Sequence, residues 1–163
     1  ESEGLLVRVK EAYDGAIPSG NSVSAMNFLK LGRMLSRPDY EVISTQIFNA
    51  FSTQLNRSSS GFSQMLQAID FSQGPTFEIL IAGKIDDDRT IRLINEIRSV
   101  FLPNAVMILV DPNDTELISW LPHLQYYHES DGGEPLVYVC QNFTCKLPTS
   151  DIQSVLEQLG LGK

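Results

Sequence analysis

Asp14, Ser19, Asn21 and Ser22 fall within nine residues, Asp14-Gly-Ala-Ile-Pro-Ser-Gly-Asn-Ser22, which also hold two glycines and a proline. A carboxylate, two hydroxyls and an amide this close in sequence could line the mouth of a pocket. Asp14 is then a candidate general acid or base, and Ser19, Asn21 and Ser22 are candidates for polar contacts to a substrate. Loops that feed a helix often carry such groups, because the helix supplies the rigid scaffold. The same residues also suit a structural role, with glycines for positive φ and Ser22 or Asn21 as a helix N-cap. On the residues alone the structural reading leads, although a loop that only caps a helix needs fewer specialised residues.

Other chemistry-bearing residues form weaker patterns. Cys140 and Cys145 are separated by four residues, with no second pair elsewhere. Structural zinc and a thioredoxin-type redox pair are both unexpected at that spacing. The leading expectation is a buried strand cysteine and a second, loop-proximal one, with a bridge across a tight bend left open. His123 and His128, five apart among aromatics, share neither a helix face nor a strand face and read as surface histidines. Asp86, Asp87 and Asp88 lack the alternating spacing of a calcium loop and read as a solvated helix start. Gly83 has no glycine triplet around it, so a phosphate loop is not indicated. No serine sits in a nucleophile-elbow pattern. No metal site and no cofactor are expected.

The elements that must position these residues follow from hydrophobic spacing. Leu5 to Val9 is short and apolar, a strand or an extended lead-in. From Ser22 to Leu35 the polar residues are Ser24, Asn27, Lys30 and Arg33, one every three, which predicts a helix buried on most sides. Asp39 can cap a second helix carrying Tyr40, Ile43, Ile47, Phe51 and Leu55. Phe62, Met65, Leu66 and Ile69 mark a third, stopped by Gly74-Pro75. The pattern then changes. Apolar runs at Phe77–Ala82, Ala105–Val110 and Leu136–Cys140 alternate with helices opening at Asp86, near Thr115 and at Ser150. That alternation predicts a small three-stranded, mainly parallel sheet. The fold class expected is α and α/β, with 1–74 helical and 75–163 α/β.

With 163 residues, 42% hydrophobic and 20% charged, the chain has room for a real core. A net charge of -8 argues against nucleic acid or an anionic membrane as the main partner. No apolar run approaches the roughly 20 residues of a membrane helix. A soluble protein is expected, with the cytoplasm favoured and no signal peptide in the sequence given. The chain opens Glu-Ser rather than with Met, so the removal of a preceding segment is expected.

Two segments together resemble a known family. Asp14-Gly-Ala-Ile-Pro-Ser-Gly-Asn-Ser22 running into Val23 to Leu35, and Tyr138-Val-Cys-Gln-Asn-Phe-Thr-Cys-Lys-Leu-Pro-Thr149, look like the C-terminal part of the thioredoxin-domain-containing proteins typified by spermatogenesis-associated protein twenty and its bacterial relatives. Phe71-Ser-Gln-Gly-Pro75 and Phe101-Leu-Pro-Asn104 fit the same pattern. The resemblance implies a much longer protein, with an N-terminal thioredoxin-like domain and an (α/α)6 toroid related to six-hairpin glycosidases and sugar epimerases. This chain would supply the last hairpins of the toroid, 1–74, and a terminal α/β unit, 75–163. It implies a carbohydrate-related pocket, hydrolase- or isomerase-like, that is not active in this segment alone. Asp14 would serve there as acid/base and Ser19, Asn21 and Ser22 as sugar contacts. The partner would be the remainder of the same polypeptide. The alternative is a non-catalytic interaction or stabilising module, and a nucleotide-binding α/β domain stands third.

Overall fold

The computed structural model describes residues 10–142 and 144–162, so the expected segment at Leu5 to Val9 lies outside the described residues. The chain divides into two compact units, one from 1–32 and 36–73 and the other from 33–35 and 74–163. No helix among the described residues is long and apolar enough to cross a membrane.

Among its described residues the first unit holds three α-helices, α1 (Gly20–Met34), α2 (Pro38–Arg57) and α3 (Ser63–Gln73). α1 buries one stripe, Ser22, Ala25, Leu29 and Gly32, at the three- and four-residue spacing of a single helix face. Its contact with α2 is close because both sides are small. Ser44 Oγ donates to the Ala25 carbonyl at 2.7 Å, and a Cβ on Gly32 would lie 3.1 Å from the Arg37 carbonyl oxygen. Phe28 meets Tyr40 edge-on. The expectation that α1 is buried on most sides is corrected: Val23 and Leu31 are 39% and 40% exposed. A helix this apolar needs neighbours on more sides than a three-helix unit offers.

Two helix starts also differ from expectation. Asp39 does not cap α2. Pro38 takes the first helical position, where its fixed φ is pre-organised, so the helix begins ahead of Asp39. Asp39 instead forms a two-pronged pair with Arg37 at 2.7 and 2.8 Å. α1 begins at Gly20, one or two residues ahead of the expected caps. Its cap is Ser19, whose Oγ accepts from Ser22 N–H at 3.1 Å.

The second unit is a mixed sheet, β1 (Phe77–Ala82), β2 (Ala105–Val110), β3 (Leu136–Gln141) and β4 (Thr144–Cys145), with helices α4 (Asp88–Arg98), α5 (Thr115–Trp120) and α6 (Ile152–Gln158). Strand order is β2-β1-β3-β4. The expected three-stranded, mainly parallel sheet is corrected to four strands. β1 and β2 are parallel, and β3 runs antiparallel to both β1 and β4. The register explains why. Ala82 pairs with Val110 on one side and with Leu136 on the other. The connection from β2 to β3 therefore leaves and re-enters the sheet at the same end, and a chain that does not cross back must return antiparallel. β4 is only two residues long and carried no periodic signal.

Alternation along the strands divides the core in two. Ile79, Ile81, Val137 and Val139 pack with Leu93 and Ile97 of α4 and with Val155 and Leu159 at α6. Leu80, Val110 and Cys140 face the other way and pack with Leu124, alongside Leu117, Leu121 and Tyr127. On that second face Arg33 donates to Glu78 Oε1 at 3.1 Å, so the one acidic side chain of β1 is buried as an ion pair.

The turn from β1 into α4 depends on Gly83. A Cβ there would collide with Thr90 of α4 and lie 2.8 Å from Pro135 Cβ. Gly83→Ala is expected to destabilise the second unit by about 1–3 kcal/mol, the usual range for overpacking a tight site. Urea unfolding of wild type and variant checks this, and equal midpoints would show that Thr90 and Pro135 give way freely.

Candidate functional site

The Asp14–Ser22 loop places its polar groups on backbone partners. Asp14 is buried. Its Oδ1 accepts from Ser19 N–H at 2.8 Å. Its Oδ2 accepts from Gln64 N–H at 2.9 Å and from Met65 N–H at 3.1 Å, in the first turn of α3. Asp14 N–H in turn donates to the Gly61 carbonyl at 2.7 Å. One carboxylate thus closes its own loop and satisfies two donors that the start of α3 would otherwise leave unpaired. A negative charge at a helix N-terminus is also favoured by the dipole.

Burial alone would raise the Asp14 pKa. The hydrogen bonds from Ser19, Met65, Ser22 and Gln64 favour the charged form and more than offset it, so the carboxyl sits below its ordinary value. A general acid near neutral pH needs the opposite shift.

The other candidates are held nearby. Ser19 Oγ and Ser22 Oγ are 2.8 Å apart, and Ser22 Oγ donates to the Ala12 carbonyl at 3.4 Å. Ser22 is fully buried. Asn21 is placed differently. Its Nδ2 donates to the Glu11 carbonyl at 2.6 Å, and its side chain borders an open groove of about 450 Å³ along α2, with Lys10, Ile43, Gln46, Ile47 and Phe51. The structure therefore brings Asp14, Ser19 and Ser22 together as a bonded knot and places Asn21 at the groove.

The α/β unit repeats the device at Asp111, a residue that the sequence analysis did not single out. Asp111 lies just after β2. Its Oδ2 accepts from Ile85 N–H at 2.7 Å and its Oδ1 from Asn113 N–H at 2.8 Å. Burial raises its pKa, and the backbone bonds from Ile85 and Asn113, with the Asn113 side chain and the Lys84 charge, more than offset it, leaving it below the ordinary value. A signal did exist: an aspartate directly after an apolar strand and before Pro-Asn is well placed to bond its own turn.

The remaining motifs have local partners. Asp87 caps α4 through Arg89 N–H at 2.8 Å and pairs with the Arg89 guanidinium. His123 lies on a short 3-10 turn, Pro122–Tyr126, where burial lowers its pKa, and His128 is exposed beyond it. Among the described residues, no three His, Cys, Asp or Glu side chains are grouped to hold a metal ion. Cys140 and Cys145 face each other across β3 and β4 and form a disulfide, with Cα atoms 3.8 Å apart. Cys140 is the buried strand cysteine of the leading expectation, and the bridge that was left open is present. The short pairing of β4 with β3, invisible to periodicity, brings the two cysteines opposite.

These features define a mixed α/β segment whose polar loops are occupied mainly with its own backbone. By sequence the chain is homologous to the C-terminal portion of spermatogenesis-associated protein 20. It is 33% identical over 149 residues to the human protein of that name, covering 91% of this chain and 19% of that protein. It is 31% identical over 148 residues to the rat protein, covering 90% and 19%. An uncharacterized protein of Caenorhabditis elegans is 29% identical over 159 residues, covering 95% and 21%. The chain spans about a fifth of the length of these curated relatives. No family model matches it, and no solved structure matches it.

The Asp14 geometry makes a prediction with a definite sign. A carboxyl whose folded pKa is depressed adds stability above its unfolded pKa, and that contribution disappears as pH falls through the folded value. Asp14→Ala is expected to destabilise the first unit by about 1–3 kcal/mol near neutral pH, from the donors left unpaired. Asp14→Asn keeps the shape and removes the charge. Its stability gap to wild type is expected to be widest near neutral pH and to narrow below about pH 3.9. Thermal melts from pH 7 to pH 2 read this, and a gap that stays constant would exclude the ionised carboxylate as its source.

Proposed function

We propose that this segment is a non-catalytic docking and stabilising module of a longer polypeptide. Its helical unit would be the terminal hairpins of an (α/α) toroid and its main partner the remainder of the same chain. The observation that carries the reading is the apolar surface of the first unit. Val23 and Leu31, eight residues apart on α1, are exposed with Asn27 between them, and Ile17 is 80% exposed on the adjoining loop. Val42 on α2 and Leu66 on α3 are exposed as well. Residues four apart share a helix face, so Val23, Asn27 and Leu31 form a stripe that a packed neighbour would cover. The matched relatives are about five times longer than this chain, which supplies a source for that neighbour.

The loop chemistry supports the same reading. Acid/base catalysis by Asp14 on a sugar would need a carboxyl that exchanges a proton with the ligand. Three backbone N–H bonds and a lowered pKa weigh against that role. Asn21 remains the residue best placed to meet a ligand, at the α2 groove. A nucleotide would call for free N–H groups in the turn after β1. Those of Gly83, Ile85 and Asp87 are already bonded to Val110, Asp111 and Lys84.

The test separates surface from core. The double variant Val23→Glu, Leu31→Glu is expected to leave the melting of the segment alone within about 0.5 kcal/mol, as for ordinary surface changes. In the full-length protein it should make the segment sensitive to limited proteolysis. An unchanged digestion pattern in the full-length protein would sink the docking role of this stripe.

A further inference from the structure

Cys145 is exposed and Cys140 is buried. Their bridge therefore has one sulfur on the solvent side and one within the cluster of Leu80, Val110 and Leu124. It closes a loop of only six residues, so it removes little freedom from the unfolded chain compared with a long-range bridge. The bridge is also not needed to hold the sheet edge. Lys146 N–H donates to the Val139 carbonyl at 3.0 Å, and Val137 and Thr149 exchange two backbone bonds at 2.8 and 3.1 Å. Lys146 Nζ reaches the Gln158 carbonyl at 2.6 Å, and Gln158 Nε2 reaches the Leu147 carbonyl at 3.0 Å. The edge is thus held by hydrogen bonds that do not involve the cysteine side chains.

We propose that Cys140–Cys145 is a reversible thiol–disulfide exchange site, entered at Cys145 Sγ, whose co-reactant is a dithiol. A thiolate of the dithiol attacks Cys145 Sγ. The Cys140–Cys145 bond breaks and Cys140 leaves as a thiolate, which takes a proton. The second thiolate of the dithiol then attacks the dithiol's own bonded sulfur, and Cys145 leaves as a thiolate. The cystine gains two electrons and the dithiol becomes a disulfide, with the two protons passing to the cysteines.

Tyr127 is the positioning residue. Its hydroxyl lies 3.6 Å from Cys145 Sγ, within reach as a donor to the thiolate formed there. That thiolate is the nucleophile for reoxidation. Burial first, then the charges of Glu78 and Tyr138, keep the Tyr127 phenol protonated above its ordinary range.

The unit acts here as substrate rather than catalyst. Its two cysteines are separated by four residues, whereas a catalytic redox pair is a C-x-x-C. Exposed bridges are the labile and regulatory ones, whereas buried staples resist reduction.

Differential alkylation of the folded full-length protein tests this on one tryptic peptide, 99–146, which contains both cysteines and no internal Lys or Arg. After mild oxidation with oxidised glutathione the peptide should carry no alkylatable thiol. Dithiothreitol added to the folded protein should expose two, with Cys145 the first to be trapped as a mixed disulfide in short pulses. The melting transition should remain cooperative in both states. Tyr127→Phe should slow reoxidation severalfold while leaving the melt unchanged. A bridge that opens only in denaturant, or two free thiols that persist after oxidation, would overturn the proposal.

Discussion

One carboxylate sets the geometry of the helical unit. Asp14 holds the N–H groups of Ser19, Gln64 and Met65, three donors from two places far apart in sequence. Without it the loop would lose its closure and α3 would begin with unpaired donors. The loop's position then fixes where α1 can start, because Ser19, held by Asp14, is also the cap of α1. Removing the charge therefore acts on two helices at once. This coupling accounts for the polar residues packed into nine positions: Asp14 and Ser19 take backbone donors at the two helix entrances, while Asn21 and Ser22 tie α1 back to the carbonyls of Glu11 and Ala12.

The α/β unit depends in the same way on its central strand. β1 pairs along its whole length with β2 on one side and β3 on the other. Five of its six residues are buried, so a register slip would turn Glu78 toward the α4 and α6 face and expose half of the core. Glu78 is the position that marks the correct register, because in it the carboxylate is paired with Arg33.

The first three helices and the three main strands were legible because the helices carry a hydrophobic period and the strands an apolar run. The strand direction of β3 was not. Periodicity reports which side of a strand is buried and says nothing about which end of the sheet a connection returns to. The two-residue β4, and with it the meeting of Cys140 and Cys145, lay below the length at which any period can be seen. The Asp14 loop was legible as a polar helix entrance, and the identity of its cap shifted from Ser22 or Asn21 to Ser19. Its long-range partners were not legible, since the link from Asp14 to Gln64 spans fifty residues that no local pattern connects.

The ambiguity of such loops has a physical root. A carboxylate that caps a helix and a carboxylate that transfers a proton need the same residue type in the same kind of loop, ahead of a rigid element. What separates them is whether the lone pairs face backbone donors or open space. In this chain Asp14, Asp87, Asp111, Asp114 and Asp151 all accept from backbone N–H groups at turns or helix starts. For Asp14, Asp87, Asp111 and Asp151 the pKa is lowered, as hydrogen bonding to the charged form requires. A sizeable part of the net charge of -8 thus consists of backbone acceptors. The acidity that could have pointed to a cationic ligand instead reflects how often this chain uses aspartate to start an element.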